Sequence, residues 1–274
     1  MGLRINTNTS SLTAQRNLSN TTNNLARSLE RLSSGLRITR ASDDAAGLAI
    51  SERFRADIRS LQQAQRNAND GISLLQTAEG ALNETSGILT RLRELAIQSA
   101  NGTLGTSERT TLDNEFNDLV SEIGRIAQVT EFNGTKVLNG TAASVTFQVG
   151  TDNTANDQIT VTGVDATATG IGINTAGIDT VSNAQAALSL IDSAIGTVAS
   201  LRAGFGTAQN RLESTIRSIA VAVENTSAAE SRIRDVDVAS ETAILTRNQV
   251  LQQAGISILA QANVSSQNAL ALLN

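Results

Sequence analysis

A chain of 274 residues can hold one large domain or two small ones, and this one does so with no Cys, His, Pro, Trp or Tyr and only five Phe. Without Cys there is no disulfide framework and no thiol or zinc site, and without His, Cys and Tyr the usual general bases and thiol nucleophiles are missing. A net charge of -5, with the basic residues scattered and Lys136 the single lysine, excludes the basic stripe of a nucleic-acid footprint.

The apolar surface comes almost entirely from Ala, Leu, Ile and Val, which suits long helices packed side by side; the absence of Pro removes the usual helix breaker. The opening MGLRINTNTSSLTAQRNL lacks the apolar core of about 7–15 residues that a secretory signal peptide requires, so general secretory logic alone would place the protein in the cytoplasm. Leu18, Leu25, Leu29, Leu32 and Leu36 then carry helical spacing, with Leu25–Leu32 and Leu29–Leu36 each on a heptad step. Ser33-Ser34-Gly35 ends that helix, Ile38–Ser42 is a short connector, and Ser42-Asp43-Asp44 offers cap oxygens for a second helix.

From Ile50 through Phe54, Ile58, Leu61, Ala64, Ala68, Ile72, Leu75, Ala78, Leu82, Leu89 and Leu92 to Ala96, apolar residues advance in threes, fours and sevens. The pattern runs on through Gly71, Gly80 and Gly87, each costing roughly 1 kcal/mol against Ala in a helix interior. A helix from Asp44 to Ser99 would be roughly 80 Å long at about 1.5 Å per residue. After the turn cluster Asn101–Thr106, a cap and first turn at Ser107-Glu108 start a third helix on Leu112, Phe116, Leu119, Ile123 and Ile126.

At Phe132 the period changes. Two Asn-Gly turn signals, Asn133-Gly134 and Asn139-Gly140, flank a short β-prone segment, and residues 145–149 and 158–162 alternate with period two around a polar loop at 151–157. Gly, Thr, Asn and Ala dominate to Ser182, which reads as a strand-and-loop insert. Helical spacing resumes from Asn183 to Val223, in a helix about as long as the lower half of the second, and residues 233–237 interrupt it as a connector.

The last stretch, Glu241 to Asn274, sets Ile244, Leu251, Ile258 and Leu272 on one seven-residue grid with Ser265 as its polar member. A second grid four residues on holds Asn248, Gly255, Ala262 and Ala269, a small-residue side that another backbone could approach closely. No charged side chain follows Arg247, although a solvated helix normally carries charge. The stretch is too broken by Gln, Asn and Ser to span a membrane. Both uncharged ends are therefore expected to be covered by other molecules, and to be disordered over 1–36 and 245–274 in a free monomer.

The fold expected is mainly α: an elongated antiparallel helical bundle or coiled coil with the terminal helices paired and a small β-hairpin region inserted mid-chain. Residues 1–43 and 236–274 would form one terminal domain, and 44–235 a rod of long helices with the β insert at about 132–182. Leu18, Leu25, Leu29, Leu32, Ile244, Leu251, Ile258 and Leu272 are the expected self-assembly interface.

LERLSSGLRITRASDDAAGLAISERFRADIRSL (29–61), LQTAEGALNE (75–84), LRELAIQSANGT (92–103), EFNGTKVLNG (131–140), SRIRDVDVASETA (231–243) and QVLQQAGISILAQAN (249–263), together with the opening 18 residues, resemble bacterial flagellin in its family order. The likeness covers roughly 1–140 and 183–274; only 141–182 lies outside it. It implies a homopolymer of many copies, the flagellar filament of a swimming bacterium, with the terminal helices in an inner coiled-coil tube and the long helices around it. The short 141–182 segment in place of large outer domains implies a smooth, thin filament. The resemblance further implies extracellular localisation through a flagellum-specific type III route without a cleaved signal peptide. The partners implied are an export chaperone and the hook–filament junction and cap proteins, with neither nucleic acid nor membrane. The family's segment recognised by Toll-like receptor 5 of vertebrate hosts maps onto Arg91, Leu95 and Glu115; the competing reading makes these ordinary contacts of the outer tube.

Catalytic and ligand-binding readings find little support in the residues. There is no H-E-x-x-H, G-x-G-x-x-G or Walker-type loop, Asp43-Asp44 reads as capping chemistry, and Asp152, Asn153 and Asp157 lack the EF-hand spacing for calcium. No enzyme activity, cofactor or metal is expected. The alternative left open by the residues alone is a coiled-coil adaptor that binds a different partner through its termini.

Overall fold

A computed structural model describes residues 7–141 and 144–271. The described residues hold five α-helices: α1 (Thr9–Ser34), α2 (Ala45–Ser99), α3 (Thr106–Val129), α4 (Val181–Arg234) and α5 (Val238–Ala271). Between α3 and α4 lie two antiparallel hairpins, β1 (Glu131–Phe132) with β2 (Thr135–Lys136) and β3 (Ser144–Gln148) with β4 (Gln158–Thr162). The chain divides into two compact units, a terminal unit of residues 1–57 with 225–274 and a central unit of 58–224.

The central unit owns the core. Ala64, Ala68, Gly71, Leu75, Ala78, Leu82, Thr85, Leu89, Leu92, Ala96 and Ser99 are all buried on α2, in an unbroken alternation of four- and three-residue steps. This is the heptad seam of a coiled coil, and it fixes which face of α2 turns inward. On α4, Ala184, Ala187, Ile191, Ala194 and Val198 repeat the same steps. Ion pairs Arg93–Asp192 (2.9 Å) and Arg202–Glu79 (3.7 Å) set the two helices antiparallel in this unit. α3 adds Phe116, Ile123 and Ala127 to the same core. An apolar stretch of α4 is long enough to cross a membrane, but its Ala-Ile face is consumed by this packing.

Asn133-Gly134 makes the two-residue turn of the first hairpin. Both residues have positive φ (48° and 77°), the requirement of a type I′ turn and the reason Asn-Gly signals it. In the second hairpin Ile159 and Val161 of β4 face inward while Thr160 and Thr162 face out, the alternation expected of a half-buried strand.

Some expectations need correction. α4 has 54 residues against 55 for α2, rather than half its length, and it begins at Val181. α3 starts at Thr106 behind Gly105, which supplies no side-chain cap. The segment after β4 is more than an insert: Ala166, Ile171, Ile173 and Ile178 are buried in the main core, and Ala166 N–H donates to the Leu138 carbonyl at 2.8 Å.

Candidate self-assembly interface

In the terminal unit α1 and α5 run antiparallel along each other. Three contacts fix the register. Asn8 Nδ2 donates to the Ala262 carbonyl at 2.9 Å, Leu18 lies against Gly255, and Arg31 pairs with Glu241 at 3.8 Å. Near Asn8, Ser11 Oγ also meets Asn263 Oδ1 at 2.8 Å. A Cβ on Gly255 would stand 3.3 Å from Leu18 Cδ1, so the missing side chain is what lets the backbones close up here.

On the α5 side the seam between these helices is small and polar. Glu241, Asn248, Gly255 and Ala262 of α5 are buried or half-buried, as are Leu18, Leu25, Ser28 and Leu32 of α1. Thus the small-residue grid of α5 is the side that α1 occupies. The apolar grid is not covered: Ile244, Leu251 and Ile258 are 39%, 50% and 60% exposed, and Val250, Ile256 and Val264 are exposed beside them. α1 adds the exposed Leu12 and Leu29. Leu272 lies outside the described residues, and the described side chains of α5 end at Val264.

Connectors on each side of the pair are tied together. Gly35 adopts a left-handed conformation (φ 73°) that turns the chain out of α1. Arg37 N–H then donates to the Arg234 carbonyl (2.6 Å) and Val236 N–H to the Gly35 carbonyl (3.0 Å). Arg37 Nη2 reaches the Ile233 carbonyl at 2.5 Å, placing a cation at the C-terminal end of α4 where the helix dipole favours it. Arg234 in turn pairs with Glu52 at 2.6 Å and, as the leading cause, holds the Glu52 carboxyl below its ordinary range.

Even so, the terminal unit has almost no core. Among the described residues Ile38 is its single buried hydrophobic side chain, while every other buried hydrophobic belongs to the central unit. A helix apolar around most of its circumference is stable only when enclosed, and α1 encloses one side of α5.

On the central unit the structure brings Arg91 and Glu115 together across α2 and α3, with Arg91 Nη2 2.8 Å from Glu115 Oε1, and Glu94 joins at 3.1 Å. The Glu115 hydrogen bond is the main reason the guanidinium is held above its ordinary value. Leu95 is fully buried in the core, so it does not share their surface. Among the described residues no group of three or more acidic side chains could hold a metal ion. A cleft of about 360 Å³ lined by Ser60, Gln63, Asn67, Gln148 and Asp152 offers one carboxylate and no base beside it.

Residues 5–143 match the N-terminal helical region of bacterial flagellin, and residues 188–273 match its C-terminal helical region. This chain belongs to the bacterial flagellin family. A flagellin of Halalkalibacterium halodurans is 48% identical over 269 residues, covering 98% of this chain and 99% of that protein. The Bacillus subtilis flagellin is 43% identical, covering 99% of this chain and all of that protein (100%). The flagellar filament 33 kDa core protein of Treponema phagedenis is 44% identical over 98% of this chain and 99% of its own length. The crystal structure of Bacillus cereus flagellin superposes with a TM-score of 0.51 at 33% identity, covering 56% of this chain and 88% of that one. A putative flagellar hook-associated protein of Vibrio parahaemolyticus reaches a TM-score of 0.59 over 70% of this flagellin and 100% of itself. At 16% identity that likeness shows the fold alone.

Both grids of this flagellin's α5 are visible in the sequence, with the aliphatic one expected at the self-assembly interface; that α1 of the same chain takes the other is not. The signal was present: the grid of Asn248, Gly255 and Ala262 suits a close partner at fixed register, and the larger aliphatic grid suits a second one.

Proposed function

We infer that this flagellin is a structural subunit of the flagellar filament outside the cell, where copies of the chain assemble to serve swimming motility. The observation that carries the reading is the missing core of the terminal unit: α5 presents Ile244, Leu251 and Ile258 uncovered beside a partner helix that turns its own Leu12 and Leu29 outward. Burying a large aliphatic side chain contributes about 1.5–3 kcal/mol, so a few such residues per contact, repeated in every copy, suffice to hold a polymer. Leu18, Leu25 and Leu32 act one level lower, by docking α1 on α5 so that the outer seam is presented. Residues 1–43 and 236–274 are assigned to the inner tube of the filament, and 44–235 to the layer around it.

The chain leaves the cell by the flagellar export route without a cleaved signal peptide, and meets an export chaperone, the hook–filament junction and the cap proteins on the way. Toll-like receptor 5 would read the Arg91–Glu115 surface. The role proposed is structural, in keeping with a family of filament proteins.

The test is the double substitution Leu251→Lys with Ile258→Lys. Both sites are solvent-facing in the single chain, so the monomer should keep its helical circular dichroism. In the polymer two charges would be buried unpaired, a cost of several kcal/mol, and filaments should vanish from negatively stained grids and from sedimentation. Normal filaments from the double variant would overturn the reading. A stable complex with a different protein in place of filaments would favour the adaptor alternative.

A further inference from the structure

We propose that Asn133 is a site of spontaneous, self-directed modification: its side-chain amide is converted to aspartate or isoaspartate by attack of its own backbone, ahead of the other Asn-Gly pairs in the chain. Three such pairs occur, Asn101-Gly102, Asn133-Gly134 and Asn139-Gly140. All three lie in the central unit and share the chemistry, because glycine puts no side chain in the way of its own nitrogen. The structure separates them by what each reacting atom is already bonded to.

At Asn139 both partners in the reaction are occupied. Its Oδ1 accepts from Thr141 N–H at 3.1 Å and from Thr141 Oγ1 at 2.7 Å. The nucleophile-to-be, Gly140 N–H, donates to the Val164 carbonyl at 3.1 Å, and the Asp165 side chain stands about where a Gly140 Cβ would be, at 3.0 Å. At Asn101 the side chain alone is held, by Thr103 N–H at 3.2 Å. At Asn133 neither is held: among the described residues its side chain makes no hydrogen bond, Gly134 N–H donates none, and the space around Gly134 is open.

The reacting pair must still leave its left-handed turn to bring nitrogen and carbonyl carbon together. That turn closes strands of two residues each, paired as Glu131–Lys136 and Phe132–Thr135, so opening it breaks very little.

The step needs only water. Hydroxide takes the Gly134 amide proton, and the nitrogen bonds to Asn133 Cγ. The Cγ–Nδ2 bond breaks, and ammonia leaves with a proton from water. Water then opens the five-membered imide at either carbonyl, giving aspartate or isoaspartate, with no oxidation or reduction. Either product adds a negative charge near Glu131. Isoaspartate also inserts a methylene into the backbone of a type I′ turn, which cannot then keep the strand register.

Peptide mapping by mass spectrometry of the full chain, held at mildly alkaline pH with and without denaturing urea, tests this. In the folded chain Asn133 should react roughly a hundredfold faster than Asn139, the factor that three hydrogen bonds opening together impose, with Asn101 between them. In urea the three should converge. Equal rates at Asn133 and Asn139 in the folded chain would overturn the assignment, as would a folded chain whose Asn133 stays intact over the time in which all three react in urea.

Discussion

Asp43 and Asp44 are neighbours with the same functional group and separate tasks. Asp44 Oδ1 accepts from Gly47 N–H at 2.9 Å and caps α2. Asp43 Oδ2 instead accepts from Thr39 Oγ1 (2.9 Å), Thr39 N–H (3.2 Å) and Arg40 N–H (3.1 Å), closing the connector on itself. The hydroxyl of Thr39 is the foremost cause holding the Asp43 carboxyl below 3.8, its ordinary value, with the two backbone donors assisting. A folded-state value below the unfolded one stabilises at pH above the unfolded value and is lost as pH falls through the folded one. Thr39 and Arg40 amides should therefore exchange faster as pH drops below 3.8, after correction for intrinsic rates, and Asp43→Asn should remove most of that dependence. Hydrogen exchange read by NMR across that range checks it; an unchanged profile in the variant would refute the role. Capping chemistry was legible in Ser42-Asp43-Asp44. The division of labour was not, because it depends on how the connector folds back.

At the scale of the helix, the glycines of α2 are not equivalent. Gly80 and Gly87 sit on its exposed face with nothing near a Cβ, whereas at Gly71 a Cβ would press on Leu212 and Phe147 at 3.2 Å. At Gly47 it would meet the Asp44 carboxylate that caps the helix at 2.4 Å and Ile38 at 2.8 Å. Gly80→Ala and Gly87→Ala should each stabilise by about 0.5–1 kcal/mol, the helix-propensity difference. Gly47→Ala should lose about 1 kcal/mol through the disturbed cap. Urea unfolding of the three variants checks both signs, and a loss at Gly80 or Gly87 would mean that those faces are covered. The sequence alone prices all these glycines alike, because only the neighbours distinguish them. The same limit hid the full length of α4 and the core role of Ile171, Ile173 and Ile178. The first runs through polar residues 224–232 that break the apolar pattern, and the others lie in a loop with no period to detect. The α2 seam, by contrast, was readable because four- and three-residue steps leave few other structures possible.

For the molecule as a whole, the uneven division of apolar burial decides what a truncation does. Every member of the main core cluster lies between Ala68 and Leu212, and none is contributed by α1 or α5. The central unit thus keeps its side-chain contacts if α5 is cut, while α1 loses the helix it packs along and leaves Leu18 and Leu25 facing water. Removing 248–274 deletes the exposed Leu251 and Ile258 and also Gly255, the point of closest approach to Leu18. Such a chain should remain a soluble monomer and form no filaments. Its amide protection should persist in α2, α3 and α4 through the central unit and be absent from α1, since a lone helix of 26 residues with few charges to support it is marginal in water. Hydrogen exchange with electron microscopy of the same sample separates the possibilities. Filaments from the truncated chain would show that the uncovered seam of α5 is not the polymer contact. Collapse of protection in the central unit would show instead that its core depends on the ends, against the placement of the whole main core cluster within it.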